Sequence, residues 1–233
     1  MKDYFPSFNV TSSLKEELME IEEKREKDET KAVWKVGVIR SKFIETAMDQ
    51  LEEADFEDYM KPKFYVEFIG EEGVDISGLT REFFSLLFQN SPVFENNSFS
   101  YDAQLMNRGH YKLVGRAMSL AMIMGHPGPR CLNTVVVDYI LYGTIPDFEA
   151  VESSEVKRED ALTAINDILN ATEESINDVF EQHVDMLTLV SFKKMLNMSN
   201  KKQAITSIKS HFMLYGIMAS ILQFMEGIMK FQS

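Results

Sequence analysis

With 233 residues, 45% of them hydrophobic and 26% charged, the chain has the composition of a globular protein that can bury a sizeable core in one or two domains. Its 37 acidic against 24 basic residues give a net charge of −13, with no basic run long enough to follow a phosphate backbone, which argues against nucleic acid as a partner. A single cysteine, Cys131, excludes an internal disulfide and a cysteine cage for zinc, and fits a reducing cytoplasmic or nuclear compartment.

The opening residues lack the long apolar core of a signal peptide. Residues 1–32 read as a charged helical arm. Ser13 and Glu16 have capping-box spacing, and Glu20/Lys24 and Glu23/Lys27 are i,i+4 pairs in the favourable order. Its apolar positions, Leu14, Leu18 and Ile21, stop after two turns, so it is either a solvated arm or a docking helix for another segment or partner.

Trp34, Val36 and Val38 alternate with Lys35 and Gly37, which predicts a short strand ending near Arg40. Ser41 is placed to cap a helix bearing Phe43, Ile44, Ala47, Met48 and Leu51. Past an acidic stretch and Lys61-Pro62, Phe64, Val66 and Phe68 alternate with Tyr65 and Glu67 as the clearest strand of the chain. Gly70 and Gly73 punctuate a turn, and Asp75 or Ser77 can cap a helix over 79–88 that Gln89-Asn90-Ser91-Pro92 ends. Residues 111–124 are apolar on nearly every side, as in a central buried helix, until Gly125-His126-Pro127-Gly128-Pro129 stops them.

Over 131–142 the signals compete: Val135-Val136-Val137 favours a strand, while the length and the closing Gly143 suit a helix. Beyond Pro146 the patterns are helical. Leu162, Ile165 and Leu169 line one helix; Ile176, Val179, Phe180, Val184 and Leu187 line the next. Asn200 with Gln203 opens a last long helix through Ile205, Ile208 and Phe212. Its uncharged run over 212–225 is shorter than the roughly 20 residues a bilayer needs, so it reads as a buried helix and no membrane is expected.

Taken residue by residue, the motifs are plain. The glycines of Gly70-Glu71-Glu72-Gly73-Val74-Asp75 lack phosphate-loop spacing, and its carboxylates lack the alternation of a calcium loop. His110, His126, His183 and His211 are scattered without metal-ligand spacing, and no Gly-x-Ser-x-Gly elbow occurs. Met213, Met218, Met225 and Met229 read as adaptable core packing or as a soft apolar face for a partner.

One block adds more. Val66, Phe68, Gly70, Glu71, Gly73, Asp75, Gly78, Leu79, Arg81, Glu82, Phe83 and Phe84 follow the pattern V-x-F-x-G-E-x-G-x-D-x-G-G-L-x-R-E-F-F. This resembles the N-terminal lobe of HECT-type ubiquitin ligases, with Ser77 standing where the family has the first of two glycines. Three further segments are similar to the same lobe: Tyr111 to Ala117 with its Gly115-Arg116 pair, Tyr139-Ile140-Leu141-Tyr142-Gly143, and Gln223-Phe224-Met225-Glu226-Gly227-Ile228. The middle and C-terminal wording resembles the divergent subgroup of the G2/M-phase-specific ubiquitin ligase.

The resemblance implies an α+β fold over 33–233, mainly helical with a few short strands, and a helix over 131–142. It implies a ubiquitin-protein transferase that docks a ubiquitin-conjugating enzyme and, as a second partner, ubiquitin. The family's nucleophile is a cysteine in a Thr-Cys-x-Asn setting of a C-terminal lobe, and that lobe is read as absent. Arg130-Cys131-Leu132-Asn133 reproduces the Cys-x-Asn spacing but falls within the N-lobe match, so Cys131 reads as a packing residue, with a reactive surface thiol and a catalytic nucleophile as the alternatives. No catalytic residue, metal ligand or cofactor is assigned, and the partner-binding residues and substrate are unassigned. The chain is then part of a ligase, a non-catalytic adaptor or decoy for a conjugating enzyme, or a scaffold. Without the C-lobe, Phe224, Ile228, Met229 and Phe231 are expected to form an exposed apolar patch.

Overall fold

The structure is a computed structural model, and it describes residues 33–53, 63–71 and 78–229. The arm, the caps Asp75 and Ser77, Gly73 and Phe231 lie outside the described residues. The elements in chain order are β1 (Val33–Val38), α1 (Phe43–Glu53), β2 (Lys63–Phe68), α2 (Gly78–Asn90), β3 (Phe94–Glu95), β4 (Ser98–Phe99), α3 (Ala103–Asn107) and α4 (His110–Ile123). They continue as α5 (Thr134–Tyr142), α6 (Glu159–Asn170), α7 (Ile176–Gln182), α8 (Val184–Leu189), α9 (Lys201–Met213) and α10 (Met218–Met229). The fold is α+β and mainly helical, with two small two-stranded sheets among the described residues.

The chain divides into two units. The first comprises Met1–Val93, Ala103–Cys131 and Gln223–Ser233; the second comprises Phe94–Asp102 and Leu132–Leu222. In the first, β1 pairs in parallel with β2, Trp34 opposite Phe64 and Val38 opposite Phe68. Parallel neighbours require a crossover, and α1 lies within it. Period-two alternation aims Phe64, Val66 and Phe68 inward and leaves Tyr65 and Glu67 outside, where Glu67 pairs with Lys35. The buried face meets α1 and α2 through rings: Phe64 lies 5.6 Å from Phe84 and 5.8 Å from Phe83, and Phe43 lies 5.5 Å from Phe83. Each such ring stabilises the fold by about 1.5–3 kcal/mol through burial alone. Helix α4 is buried along most of its length, as its sequence predicts.

Ser41 does not cap α1. It sits inside a 3-10 turn, Arg40–Lys42, and the side chain that closes this turn is Thr46, whose hydroxyl accepts from the Ile39 N–H at 3.1 Å.

In the second unit α6 packs on α9 through small and branched side chains: Ala161, Ala164, Ile165 and Ile168 against Ala204, Ile205 and Ile208. The buried stripe of α6 is therefore rotated from the expected one, and Leu169 is 58% exposed. The single helix expected over 176–187 is two short ones broken at His183, whose Nε2 bonds Asp167 Oδ2 at 2.8 Å. Helix α5 does form, started by Asn133 accepting from the Val136 N–H at 3.0 Å and stopped by Gly143 at φ +65°.

Hairpin β3–β4 was not read from the sequence. Its turn, Asn96-Asn97, has φ of 50° and 58°, angles that asparagine tolerates better than other side chains with a Cβ. The last long helix is likewise two. Leu214 breaks it at φ −148° and ψ −60°, and a 3-10 turn, Tyr215–Ile217, joins α9 to α10. By length and composition Lys201–Ile228 is apolar enough to cross a membrane; 44% of its most apolar window is buried within the protein.

Candidate functional site

The strand–turn–helix that carries the family-like pattern is organised by Arg40, a residue the motif does not include. Its Nε and Nη2 donate to the two oxygens of Glu71 at 2.7 and 2.9 Å, and Nη1 donates to Glu82 Oε1 at 2.6 Å. The guanidinium carbon also lies 4.2 Å from the centre of the Phe68 ring. The hydrogen bonds to Glu71 and then Glu82 hold the Arg40 guanidinium above its ordinary value, and Arg40 in turn holds the Glu71 carboxyl below the usual carboxylate range. Both oxygens of Glu71 are thus directed at a cation already present, which leaves this turn no open carboxylate at 71 for a metal. The signal available in the sequence was a lone arginine just past a strand end, and nothing local names its partners 31 and 42 residues away.

Two other family-like segments meet within the first unit. A Cβ placed on Gly115 of α4 would lie 2.2 Å from the Phe224 carbonyl oxygen, and one on Gly227 of α10 would lie 2.2 Å from the Lys112 carbonyl oxygen. Only paired glycines permit that crossing. Lys112 Nζ pairs with Glu226 Oε2 at 3.0 Å, and Gln223 Nε2 donates to the Met106 carbonyl at 2.9 Å beside it. Phe224 is consequently fully buried, which corrects the expected exposed patch. Ile228 is half-buried, and the Met229 side chain is outside the described set. Met213 is buried in the second unit as core packing, while Met218 and Met225 are half-buried.

Cys131 is half-buried, at the edge of a bowl of about 880 Å³ that Arg81, Ser85, Gln89, His126 and Arg130 also line. Burial pushes its thiol up, opposite to the shift that makes a sulfur nucleophilic at neutral pH. The nearby Asn133 is engaged as the cap of α5, so the Cys-x-Asn spacing has a structural origin. The structure brings His126 into the same bowl as Cys131.

The second unit has its own bowl, of about 920 Å³. Arg158 is held by Asp160 at 2.7 Å and lies 4.8 Å from the Phe212 ring centre. His211 is on its wall, and burial first, then Arg158, lowers its pKa. The surface of this unit carries several large apolar side chains, among them Leu141, Tyr142 and Ile145 in one run, with Tyr142 70% exposed. Among the described residues no group of three His, Cys, Asp or Glu side chains is placed to hold a metal ion. No family model and no curated protein matches the chain.

Proposed function

We propose that the chain is the N-terminal lobe of a HECT-type ubiquitin ligase, a non-membrane protein of the cytoplasm or nucleus that docks a ubiquitin-conjugating enzyme and contributes position rather than a nucleophile. The observation that carries the reading is the glycine crossing. Gly115 and Gly227 belong to two segments that resemble the family independently, and they contact each other where neither tolerates a side chain. The pattern over 66–84 supports the same reading, since its Val66, Phe68, Phe83 and Phe84 are core residues and its Glu71 and Glu82 share one arginine.

In such a lobe the chemistry is thioester exchange followed by aminolysis, and a lobe that lacks the sulfur acts by holding the donor within reach. Cys131 is not the sulfur of this reading, since burial pushes its thiol up, away from the thiolate that attacks. The exposed run Leu141, Tyr142 and Ile145 is the first docking surface to test, because aromatic anchors in exposed apolar patches dominate protein interfaces.

The experiment is a single-turnover assay with several ubiquitin-charged conjugating enzymes, resolved on non-reducing gels, with Cys131→Ala and Tyr142→Ala alongside and binding measured in parallel. The expected result is binding that Tyr142→Ala weakens, with no thiol-sensitive ubiquitin adduct. An adduct lost in Cys131→Ala would make the chain a nucleophile after all. Absence of binding to every conjugating enzyme would leave a scaffold.

A further inference from the structure

We propose that the surface formed by residues 193–202 of the second unit docks an acidic, apolar-faced segment of a partner protein. The sequence already sets this stretch apart. From Met186 to Met225 there is no aspartate or glutamate, although the whole chain carries 37 acidic residues and a net charge of −13. Lys193 and Lys194 precede Met195 and Met198 there, and Lys201 and Lys202 follow them. The two methionines are 69% and 45% exposed, so apolar surface and cations stand side by side.

The loop that carries them is fixed in shape before any partner arrives. Phe192 and Leu196 are its buried anchors. Asn197 Oδ1 accepts from the Ser199 hydroxyl at 2.6 Å, and Asn200 Nδ2 donates to the Met195 carbonyl at 2.8 Å. Lys194 Nζ donates to Gln203 Oε1 at 3.1 Å, which ties the loop to α9. Lys201 Nζ donates to the carbonyls of Leu169 and Ala171 at 2.8 and 2.7 Å. That clasp brings the end of α6, with its exposed Leu169, to the start of α9. A preformed platform loses little freedom on binding, and methionine adapts to the shape set against it.

The charges are placed against the interest of the fold. Lys201 and Lys202 occupy the first turn of α9, where the helix macrodipole favours acidic side chains and disfavours cations. The carbonyls that end α6 account for Lys201, whereas Lys193 and Lys202 have no partner among the described residues. None of the four lysines pairs with a described carboxylate, Glu173 and Glu174 of the neighbouring loop included. Such a patch on an acidic protein attracts an acidic partner and repels a basic one, and the methionines supply the apolar contact that retains it. Anionic lipid would meet the same charges, but the anchors are thioethers rather than the aromatic side chains that seat in a membrane interface. The surface lies outside every segment that resembles the ligase family, so it stands independently of that reading.

The probe is a fluorescein-labelled helical peptide with leucines along one face and glutamates along the other, titrated with the full chain and followed by anisotropy. One control twin has lysine for glutamate, the other serine for leucine. The acidic peptide is expected to bind saturably, about tenfold tighter than either twin, and more weakly as salt rises. Met195→Ser, and the pair Lys193→Glu with Lys202→Glu, are each expected to weaken it about tenfold. These side chains are exposed, and an unchanged far-ultraviolet circular dichroism spectrum establishes that each variant is folded. The proposal is overturned if binding does not saturate at millimolar chain, if either twin binds as well, or if the variants match the parent. Sedimentation with phosphatidylserine vesicles that Met195→Ser abolishes, with the peptide unbound, would overturn it in favour of a lipid surface.

Discussion

The two units are stabilised by different side chains. The first is an aromatic cluster, in which Phe43, Phe64, Phe83 and Phe84 contact one another across a two-stranded sheet and two helices. The second is built on alanine and isoleucine, which let α6 and α9 approach closely. Of the segments that resemble one family, 66–84, 111–117 and 223–228 fall in the first unit, and the short match over 139–143 falls in the second. A crossing that admits only glycine and a strand that must bury three rings restrict residue type strongly. A helix pair packed on small aliphatic residues can be written in many ways, and the exposed run at Leu141, Tyr142 and Ile145 is little constrained by the core.

The largest expected effect tests whether the two cores are energetically separate. Phe83→Ala should cost about 3–5 kcal/mol in the first unit. Trp34, the sole tryptophan, packs 5.0 Å from Phe64 and reports unfolding there. Urea titration should shift the Trp34 transition while hydrogen exchange in α6 and α9 stays protected; equal loss in both units would mean one cooperative fold. Next comes the glycine crossing. In α4, replacing glycine by alanine gains about 1 kcal/mol of helix propensity, but overpacking against a backbone carbonyl that cannot swing aside costs up to about 3 kcal/mol. Gly115→Ala should therefore lose about 2 kcal/mol net by urea denaturation. Gly128→Ala is the control, since its Cβ would meet only the flexible Met118 side chain at 3.5 Å and should stay within about 0.5 kcal/mol.

The smallest effect is confined to the second unit. The His211 pKa lies below its ordinary 6.5 because burial disfavours the charged ring. Between the folded value and 6.5 the unfolded chain binds more protons, so stability rises with pH across that window, is fully present above it, and is lost as pH falls through it. Hydrogen exchange in α9 should weaken with acidification in that window, and His211→Gln should flatten the response. A response of equal size in the first unit would detach it from His211.

Much of the fold was legible because its signals are local. The alternation of Phe64, Val66 and Phe68, the unbroken apolarity of α4 and the stop at Gly143 each sit within a few residues. What escaped depends on contacts distant in sequence or on backbone geometry. His183 interrupts a helical pattern because Asp167 holds its ring, and Leu214 breaks another at angles no periodicity announces. Of the candidate sites, Cys131 could be weighed from its position, but the bowl it edges could not be foreseen, since α2 and the loop after α4 lie some forty residues apart and neither is unusual alone.

The paired glycines also carry a consequence for synthesis. Gly115 leaves the ribosome roughly a hundred residues before Gly227, a delay on the order of 5 to 20 s at ordinary elongation rates. The second unit falls almost entirely within that interval, so it can fold while the first still waits for the segment that covers its central helix. Through that interval α4 presents an apolar face with nothing against it, which makes a nascent chain of this protein a candidate for chaperone capture.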